Sequence, residues 1–329
     1  MKDRALLERL GAGPASGAAL ARELGLTRAA IWKRIEALRI AGVDIDAHPA
    51  RGYRLREPLE LLSATAIDAS LHAVTHAELE GLEVDFEIDS TQRQAQRTPP
   101  PQHGSRVHFA ERQTAGQGRR GRHWHSPLAA NLYFSVARRF GGGFAALSGL
   151  SLAVGVAVAQ ALHASGYPQV RLKWPNDLVV DGRKLGGILI ELRGEAMGPC
   201  EAVIGIGLNV RMPPTDDGIG QPWIDLAALA PPPDRNVLAA TLLDHLLPAL
   251  SRFDREGLPS FVPRWAGLDA LAGHAVRVHQ GANWSDGVAL GIDASGALRV
   301  RHADGERAWH GGEVSVRDAM SADDSGASG

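Results

Sequence analysis

The chain has 329 residues, with 35 Lys and Arg against 37 Asp and Glu, and 44% hydrophobic residues. That length suits two or three domains with cores of their own, and the near-neutral balance excludes a wholly basic nucleic-acid binder and a disordered polyelectrolyte. The single cysteine, Cys200, excludes an internal disulfide and fits a reducing, cytoplasmic setting; it reads as an incidental thiol in a loop after Gly198 and Pro199.

The charge is unevenly spread. Residues 1–57 hold eleven Lys/Arg against seven Asp/Glu, leaving 24 against 30 for the remainder, which permits a nucleic-acid head on an acidic body. The start, Met1-Lys2-Asp3-Arg4, does not read as a secretory signal. A first helix is predicted over 3–10. Ser16 caps a second, with Leu20 and Leu24 on one face; Gly25 stops it, and Thr27 caps a third that runs to about Ile40. In the third, Ile31, Ile35 and Leu38 make an i, i+4, i+7 core stripe, with Arg28, Trp32, Lys33 and Arg34 off it. Residues 43–45 and 52–56 read as a hairpin with 48–51 at its tip. Together these spell a winged helix-turn-helix over residues 1–60; a basic three-helix protein-binding module is the other reading. With DNA as partner, Arg28 and Lys33 face the major groove beside Thr27 and Arg34, while Arg51 and Arg54 touch phosphate.

Pro58 opens a linker that ends near Ser63, and residues 61–272 then mix strands and helices. Strands are predicted at 84–88, 106–110, 132–136 and 185–192, and helices near 144–164 and 236–253. The uncharged stretch from Phe144 to Ala159 carries Ser148, Gly149, Ser151 and Gly155, and is too short for a bilayer span; it reads as a buried core helix. Proline-rich stretches at 99–101 and 231–233 mark surface loops. Five short alternating strands at 275–278, 287–292, 298–301, 308–310 and 314–317 suggest a small barrel over 273–319. The small, polar tail 320–329 is expected to be disordered. The fold class is therefore α+β.

The chemistry concentrates in Gln113-Thr114-Ala115-Gly116-Gln117-Gly118-Arg119-Arg120-Gly121-Arg122-His123-Trp124. Glycines let backbone approach a ligand closely, and guanidinium forks pair with phosphate or carboxylate oxygens. Like charges on such a loop repel until an anion arrives, so it is expected to be disordered when empty and clamped when filled. Gly116 to Gly121 match G-x-G-x-x-G, but His125-Ser126-Pro127 oppose the helix that motif opens, and Gly141-Gly142-Gly143 stand where its ribose-binding acid belongs. His103, His108, His123 and His125 follow no metal-ligand spacing, so no protein-held metal is expected.

Three further blocks join the glycine loop in order: Lys173-Trp174-Pro175-Asn176-Asp177 with Gly182-Arg183-Lys184-Leu185-Gly186-Gly187, then Gly205-Ile206-Gly207-Leu208-Asn209, then Gly311-Gly312-Glu313-Val314-Ser315-Val316-Arg317. In combination they resemble the biotin protein ligases, and more narrowly the bacterial bifunctional kind that also represses the biotin operon. The resemblance covers residues 2 to 319. It implies a class II synthetase-like, biotin-lipoyl-ligase central domain, an SH3-like C-terminal barrel, and a two-step reaction: biotin and ATP with Mg²⁺ give biotinoyl-5′-AMP, and a lysine of the biotin carboxyl carrier protein of acetyl-CoA carboxylase then displaces AMP. It also implies operator DNA as a partner and a homodimer when biotinoyl-AMP is bound.

By the same resemblance, Arg119 and Arg122 meet phosphate or the biotinyl group, Arg120 shares the ordering loop, and Lys184 bridges the biotin carboxylate and the α-phosphate. Asp177 orients the incoming amine, and Asn176 helps hold Mg²⁺-ATP. Trp124 covers the adenine and Asn209 bonds it, whereas Trp174 and Trp309 read as core or wall. Ser90, Thr91 and Gln92, at a strand end, with Gln113, Gly116, Gly118, Gly186, Gly205 and Gly207, match the biotin site. Glu313 and Arg317 reach toward the ATP side. Two positions depart from the commoner family pattern: Gln117 replaces an arginine and Gln92 an asparagine. A lipoate ligase and a non-catalytic ligand-sensing transcription factor are the alternatives, the first sharing the adenylation logic and the second lacking any use for Lys184 and Asp177.

Overall fold

The computed structural model describes residues 2–48, 51–57, 59–194, 198–213, 219–280, 283–310 and 314–318, excepting the side chains of 280, 283 and 314–318. The head is built on caps and one apolar stripe. α1 (Lys2–Gly11), α2 (Gly17–Glu23) and α3 (Arg28–Ile40) are followed by a hairpin of β1 (Ile45–His48) and β2 (Gly52–Leu55). The Ser16 hydroxyl accepts from Ala19 N and the Thr27 hydroxyl from Ala30 N, each satisfying a helix N-terminal donor. Ile31, Ile35 and Leu38 are buried against Leu6, Leu7, Leu10 and Leu20.

The linker leads into α4 (Ala64–Ala69), capped by Ser63, and α5 (Ala73–His76). A buried ion pair ties it down: Arg235 Nη1 lies 2.9 Å from Glu111 Oε2. Leu62 N donates to Glu111 Oε1, and Arg235 Nη2 donates to the Glu60 carbonyl. Burying both charges is tolerable because each is paired and further hydrogen-bonded.

The central sheet has seven strands: β3 (Leu79–Asp85), β4 (Ser105–Ala110), β5 (Leu132–Phe140), β6 (Arg171–Lys173), β7 (Asp177–Val180), β8 (Arg183–Gly194) and β9 (Cys200–Leu208), in the order β3-β4-β5-β9-β8-β7-β6. Only β3 and β4 run parallel, so the sheet is mixed. α6 (Thr91–Arg97) covers one face near β4, β5 and β9; α7 (Leu150–Ala164), α8 (Arg235–Glu256) and α9 (Val262–Leu268) cover the other. Residues 144–164 have the length and apolarity of a membrane span, yet most of α7 is buried between the sheet and α8. The C-terminal unit is a five-stranded antiparallel sheet of β10 (Ala275–Gln280), β11 (Asn283–Ile292), β12 (Leu298–His302), β13 (Gly305–Trp309) and β14 (Val314–Asp318), ordered β13-β12-β11-β10-β14. The expectation for residues 320–329 lies outside the described residues.

Several local readings change; the strand expected at 308–310 is β13 at 305–309, and the helix expected from 144 starts at Leu150, after a left-handed Gly149. The strand expected at 84–88 is β3 at 79–85, because Phe86 and Glu87 already turn away toward α6. Ser90 to Gln92 do not end a strand; Ser90 caps α6, its hydroxyl accepting from Arg93 N at 3.5 Å. Cys200 is a buried first residue of β9, paired in register with Phe140 and Gly194, not a loop thiol.

Candidate functional site

Strand alternation creates the floor of the site. Asp177, Gly187 and Gly207 lie in one cross-strand row, and Leu189, Gly205 and Ser135 in the next. Successive residues point to opposite faces, so this set faces the α6 side while Ile188, Ile206 and Phe134 enter the core. Gly186 belongs to that core side: a Cβ there would meet Leu178 and Leu208. The glycine opening on the cavity is Gly187, a one-residue displacement from the expectation.

Above this floor is a cavity of about 1720 Å³. At one end stands a polar corner. Thr91 N and Oγ1 both donate to Gln113 Oε1, at 3.0 and 3.2 Å, and Gln113 Nε2 donates to Ser126 Oγ at 3.2 Å. Buried Ser135 Oγ lies 2.9 Å from Thr91 Oγ1 and 3.2 Å from Gln92 Oε1. Gln92 Nε2 donates to Glu191 Oε2 at 2.9 Å and to the Val203 carbonyl at 3.0 Å. With both N–H groups engaged, the amide cannot flip, and Oε1 is aimed over bare Gly205, where a Cβ would come within 2.5 Å. Ser135, Ser126 and Glu191 were not visible as site residues in the sequence, since each joins only through sheet register or chain reversal.

At the other end are the cations. The glycine loop folds back on itself: Trp124 N donates to Gly116 O at 2.9 Å and Gly118 N to Arg122 O at 2.7 Å, with Arg120 at φ 59° in the turn. Gly116 supports the loop base, packed against Trp124 O and Gln113, whereas Gly118 lines the cavity. Arg119 Nη1 donates to Asn176 Oδ1 at 2.9 Å, so the amide oxygen assigned to Mg²⁺-ATP is engaged by the loop. Burial pulls the Arg119 guanidinium below its usual pKa, and nearby Asp177 opposes the shift. Lys184 Nζ lies 2.8 Å from Asp177 Oδ1. Arg120 and Arg122 are exposed at the cavity rim.

Trp124 is not poised over an open nucleotide shelf. Its ring lies directly on Gly207, where a Cβ would fall 2.4 Å from the indole, and beside Gly187; its centre is 5.6 Å from Lys184 Nζ. Its Nε1 is buried without a hydrogen-bond partner. Asn209 Nδ2 donates to the Ile224 carbonyl at 3.1 Å and sits 3.5 Å from the Lys184 carbonyl, so it holds the strand that carries Lys184 while lining the cavity. Asp269 also lines it; one carboxylate oxygen is buried and unpartnered, and burial raises its pKa. Trp174 Nε1 donates to Gly296 O and Trp309 Nε1 to His302 Nε2, both as structural ties. Glu313 and the Arg317 side chain lie outside the described residues.

In the head, Thr27, Arg28 and Lys33 are exposed on or beside α3, and Arg51 is exposed on the wing turn. Arg34 is instead held by Asp3 of α1 at 2.5 Å, and Arg54 by Asp46 at 3.1 Å. Helix packing brings Asp3 to Arg34, a pairing no local pattern contains.

Comparison with known proteins matches these parts. Residues 86–209 fit the biotin/lipoate A/B protein ligase family, 3–54 an HTH domain, and 273–317 the biotin protein ligase C-terminal domain. The chain is 41% identical to the bifunctional ligase/repressor BirA of Escherichia coli over 92% of its length and 93% of that protein. It is 34% identical to the biotin–[acetyl-CoA-carboxylase] ligase of Paracoccus denitrificans, over 69% of this chain and 96% of that one. Among solved structures, a biotin protein ligase from Aquifex aeolicus in complex with biotin and ATP superposes with a TM-score of 0.63 at 26% identity, covering 73% of this chain and all of that one.

Proposed function

Since the chain belongs to the family of bifunctional biotin ligase/repressors, we propose that it activates biotin with ATP and passes it to a lysine of the biotin carboxyl carrier protein, and that the same product intermediate controls its binding to operator DNA. The observation that carries this reading is the convergence of Arg119, Asn176, Asp177 and Lys184 at one end of a cavity whose other end is the Thr91–Gln92–Gln113–Ser135 corner. A neutral ureido ring suits a corner of few, fully partnered polar groups. A reacting carboxylate and α-phosphate need concentrated positive charge.

In the first step a biotin carboxylate oxygen attacks the α-phosphorus, and pyrophosphate leaves with the bonding electron pair. Lys184 and Arg119 stabilise the charge that accumulates on the phosphoryl oxygens, and Arg122 and Arg120 close from the rim. Mg²⁺ bound to the nucleotide would add positive charge at the phosphates, with Asn176 as the residue that would help hold it. In the second step the carrier lysine, as free amine, attacks the acyl carbon and AMP departs. Asp177 receives or orients the amine proton. For ATP to bind in the first step, Trp124 needs to leave the Gly207 floor, after which its indole covers the adenine.

The glycine loop that lines the cavity runs straight into Leu128, which is buried in the head's own core with Ala41 and Val43. That continuity supports coupling of ligand to operator affinity. A homodimer on a two-fold operator is the state in which the adenylate would act. The protein is assigned to the cytoplasm, where carrier, ATP and operator coincide.

The test is incubation with biotin, ATP and a carrier domain. One labelled carrier lysine is expected; no label would leave only a ligand-sensing regulator, and label from lipoate in place of biotin would reassign the substrate.

A further inference from the structure

The outward face of α3 carries a chemistry that its cations alone do not account for. Of the helix's basic residues, Arg34 is engaged by Asp3, and Arg39 is engaged by Glu36 and by the Ile45 carbonyl. Among the described residues that leaves Arg28 and Lys33 exposed on α3 with no ion pair. Between them in sequence stands Trp32, 55% exposed, with Ala29 exposed one turn before it. Among the described residues, the indole neither joins the Ile31–Ile35–Leu38 core nor packs in an aromatic pair. An indole is a large apolar surface to leave in water, and this one lies in the first two turns of the second helix of a helix-turn-helix. Those turns are the ones that enter a major groove.

The major groove offers one apolar group, the thymine 5-methyl, which apolar side chains read by contact. Lys33 and Arg28 suit phosphate oxygens or a guanine edge. Resting on the DNA-binding reading above, we propose that Trp32 is a specificity-determining residue, whose exposed ring packs on thymine methyl groups of the operator while Arg28 and Lys33 supply the charge. A self-association role for the same indole is the competing use of such a face.

The experiment uses the full chain with biotin and ATP at one fixed salt concentration, because phosphate contacts make affinity salt-dependent. A fluorescently labelled duplex from upstream of the organism's own biotin-synthesis genes is titrated. A second duplex has the same sequence, with deoxyuridine in place of thymidine, so that only the 5-methyl groups are lost. The wild-type protein is expected to bind the uridine duplex more weakly, by about fourfold for each methyl group in contact. Trp32→Ala should lose a similar factor on the thymidine duplex and discriminate the two no longer. Trp32→Phe should keep part of the discrimination, and Lys33→Ala should weaken both duplexes equally. Circular dichroism melting of each variant reports on folding.

If folded Trp32→Ala matched the wild type, or if it weakened on both duplexes yet kept the full methyl discrimination, Trp32 would not be the reader. Loss of dimer without loss of methyl discrimination would assign the indole to protein contact instead. Failure of the wild type to bind either duplex would remove the DNA reading itself, an outcome distinct from these.

Discussion

Lys184 Nζ stands 2.8 Å from Asp177 Oδ1, and the two side chains are 18% and 24% exposed. The pair is formed from neighbouring strands, so an arriving carboxylate and α-phosphate must compete with Asp177 for the ammonium. Lys184→Ala is expected to slow adenylate formation by about 10²–10³, the usual cost of one aimed donor. Asp177→Asn should leave ATP–pyrophosphate exchange within about tenfold while slowing transfer to the carrier by about 100-fold. Equal loss in both half-reactions would mean that Asp177 serves Lys184 and not the amine.

Arg119 links the glycine loop to Asn176 across the cavity. Arg119→Gly should remove both the clamp and one cation, so the adenylate escapes before the carrier arrives. Labelling of bystander lysines, followed by blotting a mixture of carrier and an unrelated protein, should rise, and Asn176→Ala should move in the same direction. Unchanged selectivity in both variants would count against the clamp.

Glu191 lies outside the cavity lining, yet it fixes the orientation of Gln92 from behind at 2.9 Å. A charged hydrogen bond of this kind contributes about 1.5–3 kcal/mol. Glu191→Ala is expected to raise KM for biotin by about tenfold and to leave KM for ATP unchanged. Gln92→Asn, one methylene shorter, should show a similar split in initial-rate measurements. A matching rise for ATP would indicate general collapse of α6.

Leu128 is 5% exposed, and its N–H donates to the Ala41 carbonyl at 3.3 Å, at the seam between ligand loop and head. Leu128→Ala should destabilise by about 2–4 kcal/mol in thermal unfolding. It should also blunt the response of DNA binding to biotin and ATP. A response of full size would remove this seam as the coupling route.

His108 is buried beside Glu83, its Nδ1 3.4 Å from Oε2, with neither ring nitrogen hydrogen-bonded. Burial holds its pKa below the ordinary imidazole value, against the pull of Glu83. The unfolded chain therefore takes up this proton near pH 6.5, before the folded protein does. Its contribution to stability is complete above that pH and is lost as pH falls below it. His108→Leu should lose less melting temperature than the wild type between pH 7.5 and 5.5; equal losses would overturn the assignment.

Much of this molecule is written locally. Ser16, Thr27 and the Ile31–Ile35–Leu38 stripe are enough to place the head's helices, because a cap and an apolar period act within a few residues. The five strands after Ala275 are legible for the same reason. The glycine–arginine loop and the Lys173–Asp177 block announce anion chemistry by composition alone. Which face a residue meets is another matter. That Gly187 and not Gly186 opens on the cavity follows from the register of β8 between β7 and β9. The engagement of Arg34 by Asp3, of Gln92 by Glu191, and the seating of Trp124 on Gly207 each join segments far apart in the chain. Composition chose the functional groups; the pairing of distant strands and helices decided which of them meet, because side-chain direction in a sheet changes with every residue and ion pairs form only where packing brings them together.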